Sequence, residues 1–345
     1  MALALFQLNS TQIFEVIEFT FPCFAGCPTF LNMEADNNSS KNEAVKISSS
    51  FSCQEKGKYM KLSSYLLAIR PWSLSASLMP TLLGYTLAHK LNPQNEHSLL
   101  ILSLTLLTVI SVHCAGNLVN TYFDYVKGID NRKSDDRTLV DHLLSKDEVV
   151  SFGGLVYAVG FIGCVCLSSL SPAKFEHLAL VYFGGLSGSF LYTGGIGLKY
   201  IALGDVLILI IFGPVSVLFA YMCQTGKLEW GGIYYALPLA LNTEAILHSN
   251  NTRDLESDRR AKIVTLAIVL GHTLSHILYL YWFLLPLVTA PRAFQIEKRF
   301  RNPETIQSVP RSTANLNLFF GLLYFLCCTK QLEFPPYSTL CPAAS

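Results

Sequence analysis

The chain has little charge and no cysteines in CxxC spacing. Asp, Glu, Lys and Arg make up only 14% of its 345 residues, whereas hydrophobic residues make up 51% and the mean hydropathy is +0.39. This balance is too apolar for a soluble domain of that length. The ten cysteines include no CxxC spacing, and most of them lie in apolar segments, where cysteine packs as a small hydrophobic residue. The composition therefore predicts an integral membrane protein.

Net charge is also low, at +1. No overall field attracts nucleic acid or an acidic partner, so we expect no nucleic-acid partner. The placement of the charges is more informative than their sum.

Long apolar segments predict an all-α polytopic membrane protein. A helix needs roughly 20 mostly apolar residues to cross the hydrocarbon core of a bilayer. Eight spans are predicted, at residues 65–90, 98–122, 149–170, 175–195, 203–224, 231–249, 263–289 and 315–330. They define a membrane domain over residues 61–330.

The two ends of the chain differ from this domain. Residues 32–58 are polar, rich in Ser, Asn and Lys, and without period, so we expect residues 1–60 to be a disordered or poorly ordered leader. Residues 331–345 form a short C-terminal tail.

Basic residues follow the second and sixth spans. They are Lys127, Arg132, Lys133, Arg137, Lys146, Arg253, Arg259, Arg260 and Lys262. The positive-inside rule therefore predicts that these loops lie on the cytosolic face. The basic loop at 291–311 breaks this pattern, which predicts either a helix missing near residues 287–292 or a bent or re-entrant pair within residues 263–289.

The same two loops carry carboxylates. Asn120 and Asp124 are four residues apart and share one face of a helix that continues out of the second span. Asp130 follows Gly128, which suits a helix ending in a left-handed turn. Asp254 and Asp258 repeat the four-residue spacing after the sixth span.

These carboxylates predict a magnesium site. Four crossings separate the two exits, so both acidic groups lie on one side and can face each other across a cavity. Mg²⁺ is usually held by one or two carboxylates together with substrate phosphates. Two such half-sites would hold one diphosphate. For the run DNRKSDDR taken alone, the alternative is a charged loop that is only solvated and binds no metal.

Further polar residues fit a diphosphate site. Arg137, Arg253 and Lys199 are candidates for phosphate contacts, and Tyr192 and Asn250 are candidates for the same cavity. Asp205, at the edge of the fifth span, is a functional candidate because carboxylates at that depth are costly. Arg70 precedes Pro71-Trp72, where it is either an interfacial anchor or a diphosphate contact. Other candidates for the cavity wall are His113, Asn117, Asn242, Glu244 and His248.

At these motifs the chain resembles the UbiA superfamily of intramembrane aromatic prenyltransferases. The matching segments are RPWSLSASLMPTLLG, GNLVNTYFDYVKGIDNRKSDDRTLVD, LSPAKFEHLALVYFGGLSGSFLYTGGIGLKYIALGD and ALPLALNTEAILHSNNTRDLESDRRAKIVTLAI. They span about residues 60–285 with little interruption.

The resemblance implies a UbiA-type bundle of nine helices, one more than the eight found here. It implies that Asn120, Asp124 and Asp130, with Asp254 and Asp258, are ligands of Mg²⁺ and diphosphate, and that these Asp residues carry the catalysis. Lys199 matches the basic residue that follows the family's tyrosine, here Tyr192. The implied donor is geranylgeranyl diphosphate, the implied acceptor is a menadiol-type naphthoquinol, and the implied membranes are endoplasmic reticulum and Golgi, with mitochondria as the alternative.

Two other classes of function compete with this interpretation. A transporter is compatible with many Gly-interrupted spans, but its ionisable residues usually lie near the bilayer midplane rather than at one face. A non-catalytic membrane partner that binds isoprenoid would use the same ligands. The sequence does not separate this last class from an enzyme.

Overall fold

A computed structural model describes residues 61–93, 98–130, 136–284, 296, 299 and 305–329. Within these ranges the chain is helical and has no strand beyond the isolated bridge between Ile201 and Val264. The predicted all-α class is confirmed. The predicted leader, the C-terminal tail and the proposed missing helix at residues 287–292 lie outside the described residues.

Eight long helices and one short helix make up most of the described part. They are α1 (Ser75–Leu91), α2 (Leu99–Val126), α3 (Lys146–Leu170), α4 (Phe175–Leu191), α5 (Gly204–Thr225), α6 (Gly232–Arg253), the short α7 (Leu255–Arg260), α8 (Leu266–Leu284) and α9 (Val309–Thr329). By length and composition, α2, α3 and α5 are each able to cross a membrane. Every predicted span corresponds to one of the eight long helices.

The structure corrects the first predicted span, residues 65–90. Residues 61–68 are helical, but Arg70 has a φ of 53°, and Pro71 begins a separate 3₁₀ turn that ends at Leu74. A residue before proline is driven out of the right-handed helical region, and proline has no N–H for the helix ladder. The helix α1 therefore begins only at Ser75.

Two other helices are interrupted. α5 contains a π-helical turn at Ile211–Val215, which includes Pro214. α8 is broken at Gly271, where φ is 72° and ψ is 173°. This break agrees with the expectation that residues 263–289 do not form one straight crossing.

Close helix packing depends on small residues. A Cβ atom on Gly84 of α1 would overlap the Val217 carbonyl oxygen of α5, and one on Gly213 would overlap the Cβ of Ala240 in α6. Small residues let helix backbones approach closely in a membrane, where no hydrophobic force drives association. The backbone around the site is therefore held by tight α1–α5 and α5–α6 contacts.

The helix ends place the polar residues. α2 continues to Val126, and Gly128 has a φ of 71°, as the sequence predicted. α6 extends four residues beyond its predicted end, to Arg253, so Asp254 lies just past its last turn. The segment that follows α4 is tied to the loop before α8, because Val264 N–H donates to the Tyr200 carbonyl at 3.0 Å and Ala202 N–H donates to the Val264 carbonyl at 2.7 Å.

Candidate active site

A cavity lies between α2, α4, α5 and α6, with part of its wall from the turn before α1. It is lined by ten of the twelve predicted site residues: Arg70, Asn120, Asp124, Asp130, Tyr192, Lys199, Asn250, Arg253, Asp254 and Asp258. Its wall from α4 and α5 is largely apolar and includes Val181, Leu207, Ile208 and Ile211. The cavity thus combines a charged rim with an apolar interior.

Asp124 is the centre of the first acidic cluster, which we define as Asn120, Asp124, Asp130 and Asp136. Its side chain is buried and accepts two hydrogen bonds, from Lys199 Nζ to Oδ2 at 2.6 Å and from the Tyr200 hydroxyl to Oδ1 at 2.8 Å. Lys199 Nζ also lies 3.4 Å from the Asn120 amide oxygen. Burial disfavours the charged form of Lys199, but the Asp124 carboxylate outweighs it and raises the pKa of Lys199.

Asp136 is a member of this cluster that the sequence analysis missed. Its Oδ2 is 2.7 Å from Arg70 Nη2 and also accepts from the Thr121 hydroxyl, and its Oδ1 accepts from Thr138 N–H at 2.9 Å. Burial alone would raise the pKa of Asp136, but Arg70 and these hydrogen bonds lower it to about 2. Arg70 therefore lies at the cavity and positions the loop after α2. Its partner is 66 residues away, so no local pattern in the sequence points to the pair.

Asp130 lies beside these anions, and among the described residues it has no ion pair like that of Asp124 with Lys199. Burial and the negative charges of Asp124 and Asp136 raise its pKa to about 7, even though Arg70 and Lys199 act in the opposite direction. A further cation at this position would stabilise the ionised form. The excess of carboxylates on this side therefore favours a bound cation.

The second acidic cluster consists of Asp254 and Asp258. Asp254 is held in a bidentate pair by its neighbour Arg253, with Nε–Oδ1 at 2.8 Å and Nη2–Oδ2 at 2.6 Å. Asp258 is only 3% exposed, and burial, with the charges of Asp254 and Asp124, raises its pKa to about 7 despite the cation of Lys199. Because Asp124 and Lys199 act on Asp258, the two clusters face each other at one rim.

The donor set fits magnesium. Among the residues that the structure describes, no three His, Cys, Asp or Glu side chains are grouped closely enough to hold an ion by themselves. Mg²⁺ does not require such a cage, because it keeps several waters and is commonly held by one or two carboxylates with substrate phosphates. Oxygen donors presented in pairs, beside Lys199 and Arg253, are suited to a metal–diphosphate complex.

Two predicted site residues are not brought into the cavity lining. Arg137 pairs with Asp141 at 2.8 Å, and both side chains are substantially exposed. Asp205 is buried at the start of α5, where its Oδ1 lies 3.8 Å from His248 Nδ1.

Tyr200 is a further residue that the sequence analysis missed. Its hydroxyl contacts Asp124, and it directly follows the predicted residue Lys199.

Comparison with known proteins agrees with this fold. The model of the UbiA prenyltransferase family matches residues 77–296. The chain is 64% identical over 296 residues to the UbiA prenyltransferase domain-containing protein 1 homolog of Drosophila melanogaster, covering 80% of this chain and 82% of that protein. It is 55% identical over 282 residues to UbiA prenyltransferase domain-containing protein 1 of Homo sapiens, covering 76% and 82%.

A solved structure shares the fold at low sequence identity. The apo structure of a UbiA homolog from Aeropyrum pernix K1 superposes with a TM-score of 0.54 and 15% identity, covering 72% of this chain and 96% of that one. The family resemblance inferred from the motifs is confirmed, and the chain belongs to the UbiA prenyltransferase family of membrane enzymes.

Proposed function

We propose that this prenyltransferase moves a geranylgeranyl group from its diphosphate to a naphthoquinol of the menadiol type, in a Mg²⁺-dependent reaction. The direct product would be the quinol form of menaquinone-4 (vitamin K2), which carries a four-isoprene tail and is oxidised to the quinone in a separate step, and a further role in ubiquinone biosynthesis is part of the proposal. The observation that carries the proposal is the pair of acidic clusters that face each other at the rim of an apolar cavity.

The metal would be held from both sides of the rim. Asn120, Asp124 and Asp130 would contribute oxygen ligands on one side, and Asp254 and Asp258 on the other. When bound, Mg²⁺ neutralises charge on the diphosphate and makes it a better leaving group.

Cationic side chains would hold the same diphosphate. Lys199 and Arg253 line the rim and already contact carboxylates, so each can move its hydrogen bonds to phosphate oxygens when the metal occupies those carboxylates. Arg70, Tyr192 and Asn250 lie in the same cavity and would complete the binding surface. Roles for Arg137 and Asp205 stay predictions.

The apolar wall would take the isoprenoid tail. Val181, Leu207, Ile208 and Ile211 provide an apolar surface, beside which Tyr182, Ser189 and Ser216 also line the cavity. A bound tail on this surface would displace water and so protect a carbocation-like allylic carbon from hydrolysis. The C1–oxygen bond of the donor breaks, a ring carbon of the acceptor forms the new bond to C1, and the ring proton is then lost.

The membrane setting suits both substrates, because the tail and the product are lipid-soluble. By the positive-inside rule we propose that the acidic rim faces the cytosol. We propose the endoplasmic reticulum and Golgi as the location, with mitochondrial membranes as the alternative.

The test is transfer from geranylgeranyl diphosphate to menadiol in membranes that contain the full chain. We expect Mg²⁺-dependent product from the unsubstituted chain and none from the Asp124→Ala/Asp254→Ala variant. Asp141→Ala is a matched control, since this exposed carboxylate lies in the same loop region but pairs with Arg137 on the surface.

Two results would contradict this proposal. Undiminished transfer by the double variant would show that these carboxylates are not needed. Binding of the donor without any transfer by the unsubstituted chain would favour a non-catalytic isoprenoid-binding partner.

A further inference from the structure

A row of polar residues continues below the rim on one face of α2. Asn120, Asn117 and His113 precede Asp124 at successive intervals of four, three and four residues, a spacing that keeps them on one side of a helix. All four line the cavity. With a rise of about 1.5 Å per residue, Asn117 and His113 lie roughly 10 and 16 Å from Asp124 along the helix axis.

The turn before α1 meets this row through hydrogen bonds. The amide of Asn117 donates to the Ile69 carbonyl at 2.8 Å and to Ser73 Oγ at 3.1 Å. His113 Nδ1 lies 2.8 Å from Ser77 Oγ, and its Nε2 lies 3.4 Å from Ser73 Oγ. These contacts fix the imidazole ring in the cavity wall.

We assign the hydrogen positions at His113 from the partners of the two serine hydroxyls. The Ser77 hydroxyl is assigned as donor to the Leu74 carbonyl at 3.1 Å, and the Ser73 hydroxyl as donor to the Arg70 carbonyl at 2.9 Å. With these assignments Ser77 accepts from His113, and Nδ1 carries the ring proton. Nε2 is left as a hydrogen-bond acceptor, with only the longer approach of Ser73 beside it.

The surroundings of His113 suit a flat ring. Its imidazole packs against Phe212, with ring centroids 4.5 Å apart, and Trp72 lines the same cavity. The same cavity also includes the apolar residues of α4 and α5 assigned above to the tail. The cavity therefore combines a hydrogen-bond acceptor that packs against an aromatic side chain with a surface suited to a hydrocarbon chain.

We propose that His113 Nε2 accepts a hydrogen bond from a hydroxyl group of the aromatic acceptor, with Asn117, Ser73 and Ser77 as the residues that position it. This assignment rests on the proposed function, because it needs a hydroxylated ring in the cavity. Partial withdrawal of the hydroxyl proton by the imidazole also makes the ring richer in electrons.

The first measurement is the Michaelis constant of each substrate for His113→Phe and His113→Gln. Phenylalanine keeps a planar ring but cannot accept a hydrogen bond, whereas glutamine retains an acceptor oxygen. For His113→Phe we expect the KM for menadiol to rise about tenfold, the ratio that corresponds to one lost hydrogen bond, with little change in the KM for geranylgeranyl diphosphate. His113→Gln should recover most of the loss, and His177→Phe, an exposed histidine on α4, is the matched control.

The second measurement removes the dependence on catalysis. Equilibrium binding of menadiol and of its 1,4-dimethoxy derivative, which has no hydroxyl proton, is compared in the purified full-length protein. The unsubstituted chain should prefer menadiol, and His113→Phe should bind the two rings equally.

These experiments separate two failures. Selective menadiol binding that depends on His113, without prenyl transfer, would overturn the proposed function but support this site. Equal binding of both rings by the unsubstituted chain would overturn the site, as would a menadiol KM that His113→Phe leaves unchanged. A parallel rise in both KM values would show that His113 supports the cavity structure instead of the acceptor.

Discussion

The two acidic clusters at the rim differ in how they are held. In the first, Asp124 contacts Lys199 and Tyr200, which follow it by 75 and 76 residues, and Asp136 contacts Arg70, which precedes it by 66. In the second, Asp254 is paired with its neighbour Arg253. Among the described residues, the ion pairs of the first cluster therefore join distant segments, whereas the Asp254–Arg253 pair is formed between adjacent residues.

This difference separates two tasks that carboxylates perform at the same rim. The first cluster is buried and stabilises the fold as well as presenting oxygen ligands. Asp254 is more accessible, with 31% of its side chain exposed, although the Arg253 side chain with which it pairs is only 5% exposed. Substitutions in the two clusters should therefore reduce activity alike but affect stability differently.

The largest expected contrast is between Asp124→Asn and Asp254→Asn. Each removes a proposed metal ligand, so we expect each to reduce kcat/KM by about 10²- to 10³-fold. Asp124→Asn also leaves Lys199 without a carboxylate that is itself buried, at a cost of about 2 kcal/mol in the free energy of unfolding, and we expect a smaller cost for Asp254→Asn because the Asp254 carboxylate is 31% exposed. Thermal unfolding in detergent, with Asp141→Asn as the control, measures the difference. Equal loss of stability in both variants would break the comparison.

Replacing Lys199 tests whether the first cluster contributes to binding of the prenyl diphosphate donor. Lys199→Met keeps the apolar stem but removes the cation that is shared between Asp124 and the proposed diphosphate. We expect the KM for geranylgeranyl diphosphate to rise by about tenfold or more, since charge-assisted hydrogen bonds contribute about 1.5–3 kcal/mol. An unchanged donor KM would remove Lys199 from the diphosphate site.

Tyr200 sharpens the comparison further. Tyr200→Phe deletes the hydroxyl that donates to Asp124 but keeps the ring over which Lys127 Nζ lies, 3.7 Å from its centroid. We expect kcat/KM to fall about tenfold, because one carboxylate oxygen loses its fixed position. Tyr122→Phe, on the same helix as Asp124, should stay near the unsubstituted value. Matching losses in the two tyrosine variants would contradict the role of Tyr200.

The smallest expected effect concerns the turn that carries Asp130. Gly128 has a φ of 71°, and an added Cβ would meet nothing within 4 Å, so Gly128→Ala introduces backbone strain alone. We expect a loss of about 1 kcal/mol in stability. Gly154→Ala, where a Cβ also meets nothing and the backbone is helical, is the control and should lose no stability, because alanine is favoured over glycine inside a helix. A neutral Gly128→Ala would mean that this turn does not constrain the first cluster.

Much of the fold could be predicted because the relevant signals are local. The apolar segments predicted the eight long helices. The four-residue spacing of Asn120 and Asp124, followed by Gly128, predicted where α2 ends. The break at Arg70 was missed even though Pro71 signals it locally, because the hydropathy of the segment was given more weight. Sequence alone also gave no reason to stop α6 at Arg253.

Most residues that line the site could be predicted from the sequence, but the contacts between them could not. Ten predicted residues line one cavity. The partners of Asp136 and Asp124 lie 66 to 76 residues away, and nothing in a single sequence shows which segments the fold brings together. Arg137 illustrates the same limit. It was predicted to contact diphosphate in the cavity, but the structure shows it paired with Asp141, four residues further along the chain.

The central claim is that both clusters hold one metal–diphosphate complex. The direct test is the affinity of a non-hydrolysable thiodiphosphate analogue of the donor, with and without Mg²⁺, for the unsubstituted chain, Asp124→Asn, Asp254→Asn and the double variant. We predict that Mg²⁺ strengthens binding to the unsubstituted chain, that either single substitution removes most of this gain, and that the double variant loses little more. Independent, additive losses from the two substitutions, or a Mg²⁺ effect that survives one of them intact, would contradict a shared site.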